Sequence, residues 1–436
     1  MCHNHEAEAP KGQQSEPPAH FPSIEKALPH LHLDCSYQEA DDILSSTIDD
    51  IAGELREISL KIHEQPEVGM TEHKAHALLA DFMESKGFQV VRQAYGMETA
   101  FTAEFSNGDG RRIGVCSEYD SLPEIGHACG HNLIAISGVA TALALKALLE
   151  QGKAKGKVIL FGTPAEEVFI GKIEMVHQSA FKDNVDLCVM AHPAAGHGQY
   201  IHMLASQDVR VEFRGQPTHA SASPWAGVNA LDAIVQVWNN ISMMRQQLEP
   251  TDRVHGIFTK AGDAPNIIPD HTAGWFYVRT HTYHQIHRVK SKLEDCFEAA
   301  ARATGCKVSY QWTERGPAMD MIQNTILADT YAYYMEKEGV TFPPKYEQEK
   351  VGLGSTDMGN VSYSVPSIHP MFGIHTSATN HTREFTAAAK TEQAHKDTLL
   401  ASKALAMTAS KALLSQGFFD ALKDNFEATV AMEDRQ

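Results

Sequence analysis

Residues 116–132 read CSEYDSLPEIGHACGHN. An apolar run at 113–117 leads into this stretch, and a run of small and apolar residues at 133–149 follows it. A strand, a polar loop and a buried helix are the elements this order predicts. The loop holds Glu118, Asp120, Glu124, His127, Cys129 and His131, with Pro123, Gly126 and Gly130 to bend it. Carboxylate, thiol and imidazole are the donors that a borderline divalent metal such as zinc takes.

The pattern recurs down the chain. A strand at 157–161 runs into Pro164-Ala165-Glu166-Glu167, and a strand at 186–191 runs into His192-Pro193. Between and before them, helical spacing covers 41–63, and a helix at 71–87 has Thr71 as its cap and Gly87 as its stop. Short β-type runs lie at 88–91 and 100–105. This alternation predicts an α/β fold, a mostly parallel mixed sheet flanked by helices. Sites in open sheets of this kind form beyond the carboxyl ends of the strands, so three separate polar segments should converge there.

Residues 206–316 read differently. Strands at 209–213, 254–259, 272–279 and 307–311, with helices at 227–244 and 284–304, predict an inserted α+β domain. The larger catalytic domain is then discontinuous, 36–205 and 317–425, with a helix at 392–414 near its end. Residues 1–35 show no periodicity and read as a disordered tail. Its His3, His5, His20, His30 and His32 have no fixed geometry for a metal.

Composition narrows the class of protein. The 436 residues allow two or three domains, and 43% hydrophobic residues suit a globular core. A net charge of −18 argues against nucleic acid or an anionic membrane as partner. Seven cysteines, odd in number and sparse, fit a reducing compartment better than a disulfide framework. The first thirty residues lack the apolar core of a signal peptide. The run at 133–149 contains Lys146 and is shorter than the ~20 residues a span needs. A cytoplasmic protein is expected.

Each motif has its own chemistry. Cys129 and His131 flank Gly130, which permits close backbone approach and positive φ. A thiolate there could serve two metals at once. Of the pair Glu166-Glu167, one carboxylate could coordinate while the other takes a proton from water. His192 ends an apolar strand, and the residue alone leaves ligand and structural histidine both open. In the inserted domain, His219 and Asn266 could stabilise an oxyanion, and Arg279 could bind a carboxylate. Nothing in its spacing marks His381, within NHT at 380–382, as a ligand. A serine hydrolase is disfavoured because no G-x-S-x-G occurs, and no phosphate-binding glycine loop is present. A Cys129–His131 thiol hydrolase stays conceivable, although a shared metal explains that spacing better.

Taken together, the motifs resemble the aminoacylase/carboxypeptidase-type metallopeptidase family, in the amidohydrolase branch that includes hippuricase and the auxin-conjugate hydrolases. The resemblance spans about 45–415 and rests on IHEQPEVG at 62–69, EYDSLP at 118–123, HACGH at 127–131 and PAEE at 164–167. It continues in QPTHA at 216–220, Pro224-Trp225, NALDA at 229–233, NIIP at 266–269 and GSTDM at 354–358. Within the branch, GHACGHN and NHT are most similar to a dipeptidase-like type acting on β-alanyl-lysine and related dipeptides.

The resemblance implies two divalent metal ions, zinc ahead of manganese, cobalt or nickel. Their ligands would be Cys129, His131, Glu167, His192 and His381. Cys129 would bridge, His131 and His192 completing one site, Glu167 and His381 the other. Glu166 would be the general base and Asp120 the carboxylate that orients the site. The inserted domain would make a homodimer, with His219 reaching the partner's site and Asn266 and Arg279 holding the tetrahedral oxygen and the substrate carboxylate. Hydrolysis of a dipeptide or an N-acyl amino acid by metal-activated water is the implied activity. An aminoacylase-like or aromatic-conjugate amidohydrolase is the alternative, and a non-catalytic metal-binding scaffold ranks behind both. Three departures stand out. The branch often has Asp-Met-Asp where this chain has Glu118-Tyr119-Asp120, Gly-His-Asp where it has Gly130-His131-Asn132, and Ser-Glu-Asp where it has Ser355-Thr356-Asp357.

Overall fold

A computed structural model describes residues 37–350 and 354–433. The expected tail at 1–35 lies outside the described residues. The larger unit is built on a six-stranded sheet: β1 (Gln89–Arg92), β2 (Phe101–Ser106), β3 (Arg111–Glu118), β4 (Gly156–Thr163), β5 (Leu187–Val189) and β11 (Ser367–Ile368). The spatial order is β1-β2-β4-β3-β5-β11. The β4–β3, β3–β5 and β5–β11 pairs are parallel, while β1 and β2 run antiparallel at one edge. The sheet is therefore mixed and mostly parallel, as expected.

Register fixes where the loops emerge. Glu118 pairs with Thr163 and Val115 with Val189, so β3, β4 and β5 end on the same side of the sheet. A short parallel sheet of β6 (His192–Ala194) and β12 (Met371–Gly373) stands beyond that edge. The strand expected at 186–191 is thus two pieces. The chain leaves β11 after Val189 and takes β12 as its new neighbour at His192.

Helix His131–Glu150 is apolar around its whole circumference, because the sheet lies on one side and helix Glu392–Leu414 on the other. By length and composition it would pass for a membrane span, yet 94% of its most apolar window is buried inside the protein. Gly138 lets it approach the sheet. A Cβ there would sit 2.8 Å from the Ser117 Cβ and 2.9 Å from the Cys116 carbonyl oxygen.

Other helices depart from the expected bounds for local reasons. The segment 41–63 forms two helices, Gln38–Asp50 and Ala52–Glu64, broken at Ile51 (φ −101°, ψ 4°). The next helix runs His73–Ser85, and Thr71 does not cap it. The Thr71 hydroxyl instead donates to the Val68 carbonyl, and the Glu67 carboxylate accepts from Lys74 N (2.9 Å) and Ala75 N (3.0 Å). A further helix, Gln416–Glu433, follows the one at 392–414.

The smaller unit is an antiparallel sheet of β7 (Ala205–Arg214), β8 (Arg253–Lys260), β9 (His271–Thr280) and β10 (Lys307–Trp312), in the order β10-β7-β9-β8. Helices Ala230–Met244 and Tyr283–Thr304 cover one face. Alternation along β9 sends Phe276 and Val278 into that core. Trp275, Tyr277 and Arg279 therefore stand on the opposite face, half-buried.

Candidate active site

The three strand-end segments converge as the register requires. Cys129 lies in the turn before helix His131–Glu150, and His192 opens β6. The Cys129 Sγ is 3.4 Å from His192 Nε2. Gly130 joins the two by necessity: its φ is +77°, and a Cβ would fall 2.7 Å from Pro193 Cγ. The His192 Nδ1 meets the Pro193 carbonyl at 2.8 Å, which fixes this ring as the Nδ1–H tautomer with Nε2 free as a donor atom.

Asp120 does for His131 what Pro193 does for His192. The Asp120 Oδ1 is 3.0 Å from His131 Nδ1, and its Oδ2 accepts from Glu167 N at 3.1 Å. One buried carboxylate thus sets both the imidazole and the Glu166-Glu167 turn. That turn is strained, with Ala165 at φ +57° and Phe169 at +53° flanking it. Buried Glu72 holds it by accepting from Ala165 N at 2.8 Å, and Thr99 Oγ1 donates to the other Glu72 oxygen at 2.8 Å.

His381 completes the cluster from the loop after β12. Its backbone is also left-handed (φ +67°), and its N–H donates to the Ala128 carbonyl at 2.8 Å. The Nε2 stands 3.5 Å from Glu167 Oε2, and the ring is about half exposed. Beside it Asn380 Nδ2 donates to the Pro193 carbonyl at 3.1 Å.

Two donor groups result, Cys129–His131–His192 and Cys129–Glu167–His381, and within each the donor atoms lie no more than 4.8 Å apart. Cys129 belongs to both. Among the described residues, His131 Nε2 and Glu167 Oε1 are buried with no hydrogen-bond partner, pointing into this space. Electrostatics agree with that geometry. Burial, then Glu118, Glu167 and Asp357, push the Glu166 carboxyl well above the usual carboxylate range. Burial raises Glu167 to about 7 and drives the Cys129 thiol up. Burial and the neighbouring His131 lower His192 to about 3. Cys129 and Glu167 are thus held from ionising and His192 stays neutral, while Asp120, against the pull of burial, raises His131 well above the ordinary imidazole value, which marks a pocket that draws positive charge. Divalent cations fit it, since thiolate, imidazole and carboxylate are their ligands.

Arg279 approaches from β9 of the smaller unit. Its Nη1 donates to Ser355 Oγ at 2.6 Å, and its charge acts with burial and His131 to lower His381. His219 and Asn266 are not brought to the cluster. Both are exposed, on adjoining loops where Ala220 N donates to the Asn266 carbonyl at 3.0 Å. Among the described residues neither has a hydrogen bond or ion pair to the donor groups.

Several residues of this site went unread in the sequence. Lys172 is fully buried, its Nζ 2.5 Å from Glu118 Oε1 and paired also with Asp357. His369 is buried against His192 (ring centroids 5.4 Å, perpendicular), and among the described residues neither ring nitrogen has a hydrogen-bond partner. Glu72 also carries no signal in the sequence, and Asn380 stands out there only as part of NHT at 380–382. A lysine at a helix start and a histidine before proline carry no local signal of burial.

Residues 114–399 match the peptidase family M20/M25/M40. The Xaa-Arg dipeptidase of Mus musculus is 41% identical over 397 residues, covering 88% of this chain and 92% of that protein. A p-aminobenzoyl-glutamate hydrolase chain of Escherichia coli (strain K12) is 27% identical over 433 residues, covering 83% of this chain and 89% of its own length. Among solved structures, a dinuclear metal-binding peptidase of Bacillus subtilis superposes with a TM-score of 0.63 at 17% identity, covering 84% of this chain and 99% of that one. The α/β sheet, the second α+β unit and a donor cluster at the strand ends are all present in one chain, and the chain belongs to peptidase family M20/M25/M40, as a hydrolase of peptide or amide bonds.

Proposed function

We propose that this protein hydrolyses the amide bond of a dipeptide, using two divalent ions, zinc first, held by Cys129, His131, Glu167, His192 and His381. The observation that carries this reading is the sharing of Cys129 between two donor groups, with the Glu166 carboxyl beside them and outside both. Bound ions would supply Lewis acidity to water and to the scissile carbonyl. Glu166, its affinity for a proton raised by burial, accepts the proton of the attacking water and returns it to the leaving amine. Asp120 keeps His131 in the Nδ1–H tautomer throughout. Arg279 holds the carboxylate of the released amino acid.

The 41% identity to an Xaa-Arg dipeptidase puts dipeptides with a basic C-terminal residue ahead of N-acyl amino acids. We further propose a homodimer formed by the smaller unit, in which exposed His219 and Asn266 serve the partner's site. Exposed Val235, Trp238 and Met243 on helix Ala230–Met244 and Ile257 on edge strand β8 support it. The five described cysteines are free thiols, which supports a reducing, cytoplasmic setting. The test is turnover of zinc-loaded protein on a panel of β-alanyl and α-aminoacyl dipeptides with C-terminal Lys or Arg, N-acyl amino acids and p-aminobenzoyl-glutamate. Preference for the basic dipeptides is expected. Preference for an acyl or aromatic amide would replace this substrate class, and no turnover on any member would overturn the reading.

A further inference from the structure

The segment 66–72 lies between the two parts of the site that carry its carboxylates. On one side the Glu67 carbonyl accepts from Ser121 N at 2.8 Å, and Val68 and Ser121 form a parallel β-bridge, which ties the segment to the Asp120 loop. On the other side Gly69 presses on the Glu166-Glu167 turn. A Cβ there would fall 3.0 Å from the Ala165 Cβ and 3.2 Å from Val168 Cγ2. Glu72 ends the segment as the residue before helix His73–Ser85, whose start the Glu67 carboxylate holds. Its Oε1 accepts from Ala165 N and its Oε2 from the Thr99 hydroxyl, both at 2.8 Å. The Tyr119 hydroxyl, from the residue beside Asp120, donates to the Thr99 carbonyl at 2.5 Å. Glu72, Thr99, Tyr119 and Ala165 are all fully buried.

The turn is therefore held at both ends by buried carboxylates, Asp120 on Glu167 N and Glu72 on Ala165 N. The two ends differ. Asp120 fixes His131 and Glu167, both proposed ligands. Glu72 fixes Ala165, whose φ of +57° a residue with a Cβ adopts only when its surroundings impose it. Glu166 is the next residue, so this backbone angle sets where its carboxyl goes. Among the described residues the Ala165 N–H has no other acceptor. We propose that Glu72 is a positioning residue for the reaction: it keeps Ala165 left-handed and so keeps the Glu166 carboxyl facing the donor groups, while Asp120 holds the ligand Glu167. The inference rests on the two-metal hydrolase reading and deepens it.

The test compares zinc-loaded wild type, Glu72→Leu, Glu72→Gln and the double variant Glu72→Leu/Ala165→Gly. It reads kcat, KM and zinc per chain, together with crystal structures of wild type and Glu72→Leu. Glu72→Leu is expected to keep two zinc ions and its KM and to lose ~100-fold in kcat, the size of a misplacement of about 1 Å. Its structure should show Ala165 outside the left-handed region and the Glu166 carboxyl displaced. A glutamine keeps an oxygen for Ala165 N, and the Thr99 hydroxyl can turn to accept from its amide, so Glu72→Gln should stay within ~10-fold of wild type. Glycine takes a positive φ without steric cost, so adding Ala165→Gly should return at least ~10-fold of the kcat that Glu72→Leu loses. A merely structural role for Glu72 predicts no such rescue. Near-normal kcat in Glu72→Leu, loss of a zinc ion along with the activity, a loss in Glu72→Gln as large as in Glu72→Leu, or no recovery on adding Ala165→Gly would each overturn the proposal. If Glu72→Leu does not fold, Thr99→Val decides: reduced kcat with both ions and KM kept supports the proposal, and wild-type kcat overturns it. A wild type without turnover, or with fewer than two ions, would instead contradict the hydrolase reading, and the places of Ala165 and Glu166 in the two crystal structures would still decide this one.

Discussion

Replacing Asp120 by Asn separates orientation from charge at the centre of the site. Both Asp120 oxygens are committed, Oδ1 to the His131 Nδ1–H at 3.0 Å and Oδ2 to the Glu167 N–H at 3.1 Å. The side chain is wholly buried, so water offers no replacement. An Asn supplies one acceptor and one donor. If its oxygen faces His131, its amide opposes Glu167 N–H. If its oxygen faces Glu167, its amide drives His131 to the other tautomer and blocks Nε2 as a donor atom. Either way one buried hydrogen-bonding group is stranded, at about 1–3 kcal/mol. At a factor of ten per 1.4 kcal/mol, this is roughly 5- to 150-fold in an equilibrium constant. The range overlaps the 10–100-fold in metal affinity typical for residues that orient a ligating histidine. Zinc competition against a chromogenic chelator measures it, with the melting temperature as control for folding. Zinc affinity and kcat both equal to wild type would refute the assignment of Asp120.

Other substitutions probe separate parts of the account. Glu166→Gln should keep two zinc ions per chain by elemental analysis and lose ~10²–10⁴-fold in kcat, whereas loss of an ion would make Glu166 a ligand. Gly130→Ala should destabilise the fold by about 1–3 kcal/mol in urea titration, because the residue is left-handed and the new methyl meets Pro193. Asp41→Ala should cost about 3–5 kcal/mol by the same titration, since it strands the wholly buried Lys411 ammonium that lies 2.8 Å from Asp41 Oδ1. Chelation of the bound ions should lower the melting temperature, and the shift should reverse on adding zinc.

How much of this was legible depended on how local the cause was. Strands β3 and β4 announce themselves because both faces are covered, leaving near-continuous apolar runs that end in polar loops. Convergence of Cys129, Glu167 and His192 followed from parallel order alone, since parallel strands present their carboxyl ends together. His381 offered no such signal and was reached only through resemblance. Lys172 and Glu72 give no signal because their meaning is tertiary, and Asp357 stands out only as part of GSTDM at 354–358, with no partner named. Each reads as a solvated charge until the chain brings its counterpart from up to 185 residues away, as it does for Lys172 and Asp357. The same holds for the start of helix His73–Ser85, where the expected cap at Thr71 was displaced by Glu67.

The central claim is that Cys129 serves two metal ions. Anomalous diffraction at the zinc edge from crystals of the zinc-loaded protein tests it directly. Two peaks per chain are predicted, each about 2.3 Å from the Cys129 sulfur, one beside His131 and His192 and the other beside Glu167 and His381. A single peak, or two peaks of which one stands away from Cys129, would contradict it.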